Sequence, residues 1–262
     1  MNVLTKDFLL LSDFCDRYGR WKPSQMLVAM QELAGEHSER LDVGREKVLE
    51  SGAIWVLTRT ELHVQRYPVF LDHIVGRTFP TTVRRTLYPR FFVFEDAQGH
   101  LLASGSTYWA VMDLETQRMV SHAWINERIP NNNEAIARPL GYPGSAKLAA
   151  GEEELSRYQP VYADLDLNGH VNNTKSADWA CNLLGSQTLA RQPIKTMVLN
   201  YNREIRGSEP VDFSFRRAGS DFSLRCLREG VAHIDVSGTL MDSDDQGGKP
   251  SPVAALEGAA EA

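Results

Sequence analysis

The apolar positions of this chain fall into two rounds of one pattern. Leu27, Met30, Leu33, Ala34, His37 and Leu41 recur at three- and four-residue intervals, the spacing of one helix face. Pro23 suits the first turn of that helix, and Gly44 follows its expected end. Runs rich in β-branched and aromatic residues come next, at 54–64, 72–79, 81–94 and 101–112. Each has the length and composition of a strand, and Asp96-Ala97-Gln98-Gly99 supplies a turn between the last two. The pattern then returns, with a helix expected over 172–184 and strands at 196–206, 211–218, 221–228 and 231–241.

The repetition extends to a short motif ahead of each helix. Asp166-Leu167-Asn168-Gly169-His170-Val171 stands 150 residues after Asp16-Arg17-Tyr18-Gly19-Arg20-Trp21. Two matches in six positions are weak evidence of duplication, but the shared order of strand, helix and four strands strengthens it. The expected organisation is an N-terminal unit over 1–129, a Pro/Gly/Asn-rich linker over 130–154, a C-terminal unit over 155–241 and a disordered tail over 242–262. A long helix followed by an antiparallel sheet predicts an α+β unit in which the sheet wraps the helix.

Composition narrows the function. The chain has 262 residues, 42% hydrophobic and 24% charged, with a formal net charge of −6. That is a globular mixture, and its sign argues against a nucleic-acid partner. Phe8-Leu9-Leu10-Leu11, the longest apolar run near the start, is too short for a membrane span, so a cytoplasmic location is expected. Cys15, Cys181 and Cys226 are odd in number and widely spaced, which speaks against a disulfide framework or a cysteine metal site. No phosphate-binding glycine loop, dinucleotide fingerprint or HExxH is present. The reading therefore includes no cofactor and no metal.

Chemistry concentrates in residues 164–173, Asp-Leu-Asp-Leu-Asn-Gly-His-Val-Asn-Asn. Asp166, Asn168 and His170 alternate, and in an extended segment all three side chains would point the same way. A carboxylate, an amide and an imidazole beside a helix N-terminus can polarise a carbonyl and activate water. The competing reading is a polar turn with Asn172 or Asn173 as helix cap. The density of functional groups favours chemistry.

With Trp179 downstream, this segment resembles the D-L-D-x-N-x-H-V-N-N signature of the acyl–acyl carrier protein (acyl-ACP) thioesterase family, the bacterial relatives of the plant plastid enzymes. The resemblance runs over residues 8–241. It takes in Gln31, Ala34 and His37 on the first helix, Tyr67-Pro68 with Asp72, Arg90-Phe91, and Trp109 with Asp113. It implies a double hotdog fold and hydrolysis of the thioester between a fatty acyl chain and acyl carrier protein, ending fatty-acid synthesis. Acyl-CoA thioesterase is the alternative, with a non-catalytic acyl-binding protein or a hydratase-like hotdog enzyme behind it. Leu199-Asn200-Tyr201-Asn202-Arg203-Glu204-Ile205 resembles the family's strand ending in arginine and glutamate, so Glu204 carries over as a catalytic carboxylate. The cysteine that follows this glutamate in the plant enzymes is Ile205 here, which excludes a cysteine mechanism at this position. Ser176 stands where the family usually has tyrosine.

The implied catalytic set is Asp166, Asn168, His170 and Glu204, with either carboxylate as base or nucleophile. Backbone N–H groups of Val171 and Asn172 are expected to receive the oxyanion. The first copy has Tyr18 and Arg20 in place of the amide and imidazole, so its helix residues Met26, Leu27, Met30 and Leu33 are candidates for the acyl pocket rather than plain core. An acidic carrier needs a local basic surface, for which Lys175, Arg191, Lys195, Arg203, Arg206, Arg216 and Arg217 are candidates. Hotdog proteins often pair through their sheets, which admits a homodimer, while the sequence leaves the oligomeric state open.

Overall fold

The structure is a computed structural model that describes residues 2–133 and 136–242. The chain divides into two compact units, the first running essentially to Pro143 and the second from Gly144 onward. The expected tail lies, apart from Asp242, outside the described residues.

The first unit contains β1 (Leu4–Leu9), α1 (Pro23–Arg40), α2 (Arg45–Glu50), β2 (Ala53–Val64), β3 (His73–Pro80), β4 (Leu87–Glu95), β5 (Leu101–Asp113), β6 (Met119–Val120) and α3 (Ala123–Arg128). Its antiparallel strands lie in the order β1-β3-β4-β5-β2, with β6 on β5. The face of α1 read from the periodicity is the buried one: Met26, Leu27, Met30, Leu33, Ala34 and His37 are all at most 4% exposed. Two glycines let the helix approach the sheet. A Cβ on Gly105 would lie 2.5 Å from the Met30 methyl, and one on Gly76 would lie 3.1 Å from Leu33.

His37 is a satisfied core histidine. Its Nδ1 accepts from the buried Arg90 guanidinium at 2.9 Å, beneath the last turn of α1. Thr78 and Ser38 hydroxyls lie 3.4 Å from the same guanidinium. Burial lowers the Arg90 pKa to about 9. The negative end of the α1 dipole compensates part of that cost.

The second unit contains β7 (Glu153–Tyr158), α4 (Lys175–Leu184), α5 (Ser186–Arg191), β8 (Ile194–Tyr201), β9 (Val211–Ala218), β10 (Asp221–Arg228) and β11 (Val231–Leu240). Its antiparallel strands run in the order β8-β11-β10-β9-β7. Helix α4 buries Ser176, Ala177, Trp179, Ala180 and Leu184. Trp179 packs against the stacked pair Tyr158 and Phe213, with ring centroids 5.3 and 5.2 Å away. Each unit is thus a helix held against an antiparallel sheet, and the pair is a double hotdog.

Three expected boundaries move, each for a local reason. Strand β4 begins at Leu87 rather than 81, because Arg84 and Leu87 exchange backbone hydrogen bonds around a turn with Arg85 at φ 60°. Strand β8 ends at Tyr201, because the Asn202 and Arg203 N–H groups both donate to the His233 carbonyl. Helix α4 begins at Lys175, after an Asn172 side chain that accepts from both the N–H and the hydroxyl of Thr174.

Candidate active site

Asp166 to His170 is a tight turn, which corrects the extended reading of the alternating triad. The Asp166 N–H donates to the His170 carbonyl, and the Gly169 N–H donates back to the Asp166 carbonyl. Gly169 sits at φ 73°, a conformation glycine adopts without strain. Asp166 Oδ1 accepts from the N–H groups of Asn168 (2.8 Å) and His170 (3.2 Å). One carboxylate oxygen of Asp166 is therefore engaged in holding the turn.

The loop after β8 runs antiparallel to the end of this turn. Val171 N–H donates to the Ile205 carbonyl at 2.8 Å, Gly207 N–H donates to Gly169, and His170 pairs with Arg206. This brings Glu204 to His170, with Oε2 3.5 Å from Nε2. Arg206 donates to the same oxygen from Nη2 (2.9 Å) and Nε (3.3 Å). His233 Nδ1–H donates to the Glu204 carbonyl at 3.0 Å. The His170 side chain is 21% exposed and that of Glu204 38%, so substrate can reach both. Behind the turn, the buried Asp164 accepts from the Tyr158 hydroxyl at 2.7 Å and the Val161 N–H at 2.9 Å.

The oxyanion assignment needs correction. Val171 N–H is already bonded to Ile205, and Asn172 N–H is bonded to the Asp164 carbonyl at 2.8 Å. Neither donor is open to a substrate oxygen. Asn168 and His170 also carry side-chain N–H groups on the turn. Some of the expected docking charge is also compensated locally: Arg206 pairs with Glu204, Arg216 with Glu153, and Lys175 lies 3.8 Å from Asp178.

The first unit repeats this backbone frame bond for bond. Asp16 Oδ1 accepts from the Tyr18 and Arg20 N–H groups at 2.8 and 2.9 Å, and Gly19 has φ 74°. Trp21 N–H donates to Pro68 as Val171 does to Ile205, and Lys22 N–H donates to Phe14 as Asn172 does to Asp164. Phe70 N–H donates to Gly19 as Gly207 does to Gly169. Gln65 and Arg66 both donate to Leu102, as Asn202 and Arg203 do to His233.

The correspondence between the two frames sorts the residues. Asp16 and Asp166 match, so this aspartate serves the turn in both units. Asn168, His170, Glu204 and His233 correspond to Tyr18, Arg20, Tyr67 and Leu102. In the first unit Arg20 folds back onto Asp16 Oδ2 at 3.1 Å and lies 4.8 and 5.6 Å from the Tyr18 and Tyr67 ring centroids. That unit has a closed cation–π stack where the second has an imidazole beside a carboxylate. His233 was one of several scattered histidines in the linear sequence. Only the match to Leu102 singles it out.

The described residues contain no group of histidine, cysteine or acidic side chains arranged to hold a metal. No described helix is long and apolar enough to cross a membrane.

The fold and the turn together define a tandem hotdog protein with one chemically equipped unit, and comparison with known proteins gives it a family. The acyl-ACP thioesterase N-terminal domain model matches residues 1–124, and the C-terminal domain model matches 148–238. The chain belongs to the acyl-ACP thioesterase family. It is 28% identical over 167 residues to a palmitoyl-acyl carrier protein thioesterase of Arabidopsis thaliana, a match that takes in 60% of this chain and 40% of the relative. It is 24% identical over 172 residues to an oleoyl-acyl carrier protein thioesterase of the same plant, covering 61% and 46%. The matched span is thus less than half the length of either relative. Among solved structures, an acyl-ACP thioesterase from Bacteroides thetaiotaomicron has a TM-score of 0.82 at 19% identity, covering 91% of this chain and 98% of that one. The 12:0-ACP thioesterase from Umbellularia californica gives 0.76 at 19%, covering 91% and 97%. These likenesses establish the fold.

Proposed function

We propose that this chain hydrolyses the thioester of fatty acyl-ACP, releasing free fatty acid, with chemistry in the second unit and acyl selection in the first. One observation carries the reading. On two equivalent backbone frames, the side chains that differ at the turn include an amide, an imidazole and a carboxylate, placed together only in the second unit. The names of the family's members supply the substrate class.

In this reading Glu204 is the base, because it lies beside the His170 imidazole while Asp166 Oδ1 holds the turn. Water attacks the thioester carbonyl carbon and Glu204 takes its proton. Charge on the carbonyl oxygen develops against the Asn168 amide and the His170 imidazole. Collapse of the intermediate breaks the C–S bond, and the thiolate leaves readily. The proton returns to it through the imidazole beside Glu204. No thiol takes part. Met26, Leu27, Met30 and Leu33 contribute to acyl selection from within the first unit.

The test is incubation of the purified protein with a panel of acyl-ACPs and matched acyl-CoAs, reading free fatty acid by mass. Release from acyl-ACP with higher kcat/KM than from acyl-CoA supports the proposal. Better turnover of acyl-CoA would move the activity to that carrier. Binding of acyl groups without release would leave a non-catalytic protein.

A further inference from the structure

Strand β7 forms one edge of the second unit's sheet, and among the described residues its only strand partner is β9. Glu153 through Arg157 are all exposed, and Leu155 is 74% exposed. A solvated edge with an outward leucine is a template for further pairing unless its side chains forbid it. Here they do the opposite, and we propose that β7 pairs antiparallel with β7 of a second copy of this chain, about a two-fold axis through Leu155.

The argument rests on the order of charges. On the outer face of the sheet, Glu153 lies opposite Arg216, Leu155 opposite Ser214, and Arg157 opposite Asp212. Glu153 bonds Ser214 and lies 3.4 Å from Arg216, and Arg157 lies 3.9 Å from Asp212. A two-fold normal to the sheet through Leu155 sets Leu155 against its mate and Glu153 against the mate's Arg157. Each flanking row then reads Arg216, Glu153, Arg157, Asp212 across four strands, with the first two from one copy and the last two from the other. The signs alternate without a break, and the central row sets Leu155 against Leu155 between two serines, Ser214 of each copy. Opposite-charge and apolar cross-strand pairs both favour pairing.

Neighbouring registers lose this match. Centring on Glu154 sets two glutamates against each other, and centring on Ser156 sets Arg157 against Leu155. Only the Leu155 register makes the edge self-complementary, as an isologous contact requires. A six-residue edge is short against the roughly 1,200 Å² of total burial in a stable standard interface, so the dimer is a reversible one.

Sedimentation equilibrium of the full chain, from low micromolar to near-millimolar protein, tests this. The average mass should climb from one chain toward two, and added salt should oppose the rise. Leu155→Asp faces two carboxylates across the axis, and Arg157→Glu opposes Glu153 with a like charge. Each should weaken association at least about tenfold. Leu155 is exposed and lies opposite Ser214, so an unchanged Tm is expected for Leu155→Asp and separates lost association from lost folding. Leu155→Cys should give a disulfide-linked dimer on oxidation, because directly opposed residues bring their Cα atoms within about 5.5 Å. The parent chain should give none. A chain that stays monomeric throughout the range overturns the proposal. So does a dimer that survives Leu155→Asp and fails to cross-link through Cys at 155.

Discussion

Glu204 and Tyr67 hold one position on one backbone frame, each just before the residue whose carbonyl receives the N–H that follows the turn (Val171 to Ile205, Trp21 to Pro68). In the second unit the position carries a carboxylate 3.5 Å from His170. In the first it carries a ring 5.6 Å from the Arg20 guanidinium carbon. The contrast separates residues that make the turn from residues that use it.

The two carboxylates near His170 should respond differently to the same substitution. Asp166→Asn keeps an oxygen able to accept both turn N–H groups, so activity should stay within about tenfold of the parent. Glu204→Gln removes the base and should cost a hundredfold or more, about what general base catalysis supplies. His170→Ala should fall with it. Asp166→Ala loses the turn bonds, and with them most activity and about 1–2 kcal/mol of stability. Steady-state kinetics beside urea unfolding checks each. Full activity in Glu204→Gln would remove that residue from the mechanism.

His233 holds Glu204 by its backbone, whereas Leu102 occupies the equivalent position without such a bond. Replacing His233 by Leu should lower kcat several-fold with little change in KM, since the base is displaced and the acyl site is untouched. The companion His233→Asn, which retains a donor, should recover part of the loss. Equal defects in both variants, or a defect confined to KM, would deny His233 this role.

Gly105 makes room for Met30. Gly105→Ala should destabilise the chain by about 1–3 kcal/mol, the usual range for overfilling a packed core. Pairing it with Met30→Ala should recover much of that loss, because the added methyl enters space the thioether has vacated. If Met30 also bounds the acyl site, the same variants will shift chain-length preference in the acyl-ACP panel. Denaturant midpoints and product profiles read the two effects separately.

Cysteine alkylation should leave turnover intact. Burial pushes the Cys226 thiol up to about 12, which leaves about one thiolate in ten thousand at pH 8. Burial also raises Cys15, so neither thiol should label readily with iodoacetamide in the folded chain. Mass mapping of the labelled sites beside an activity assay settles the matter. Inactivation in step with labelling of any one thiol would contradict a carboxylate mechanism.

The elements were legible where periodicity is strong. The buried face of α1 and the runs that became β9, β10 and β11 needed only the spacing of apolar residues. The turn was not legible in the same way. Alternation of Asp166, Asn168 and His170 looks like a strand, and what overrides it is Gly169 at positive φ with Asp166 capping two N–H groups. The oxyanion donors failed for a related reason. Whether the Val171 N–H is open depends on a carbonyl more than thirty residues away, at Ile205, and the Asn172 N–H is taken by Asp164 across the folded turn, neither of which the alternation reveals. Arg206, first a candidate for carrier docking, proves to be the partner of Glu204. His233 emerges only when the two halves are laid on one another.

The duplicated frame has a consequence for how such a chain can evolve. In the proposed reading the turn and its cross-loop serve folding twice and chemistry once, so Asp16 and Asp166 carry the same structural demand while their neighbours need not match. Asp16→Ala should therefore unsettle the protein about as much as Asp166→Ala. The first unit carries the mould of the second without the inscription. A graft of Asn, His and Glu onto positions 18, 20 and 67 asks how much of an active site is inscription and how much is mould.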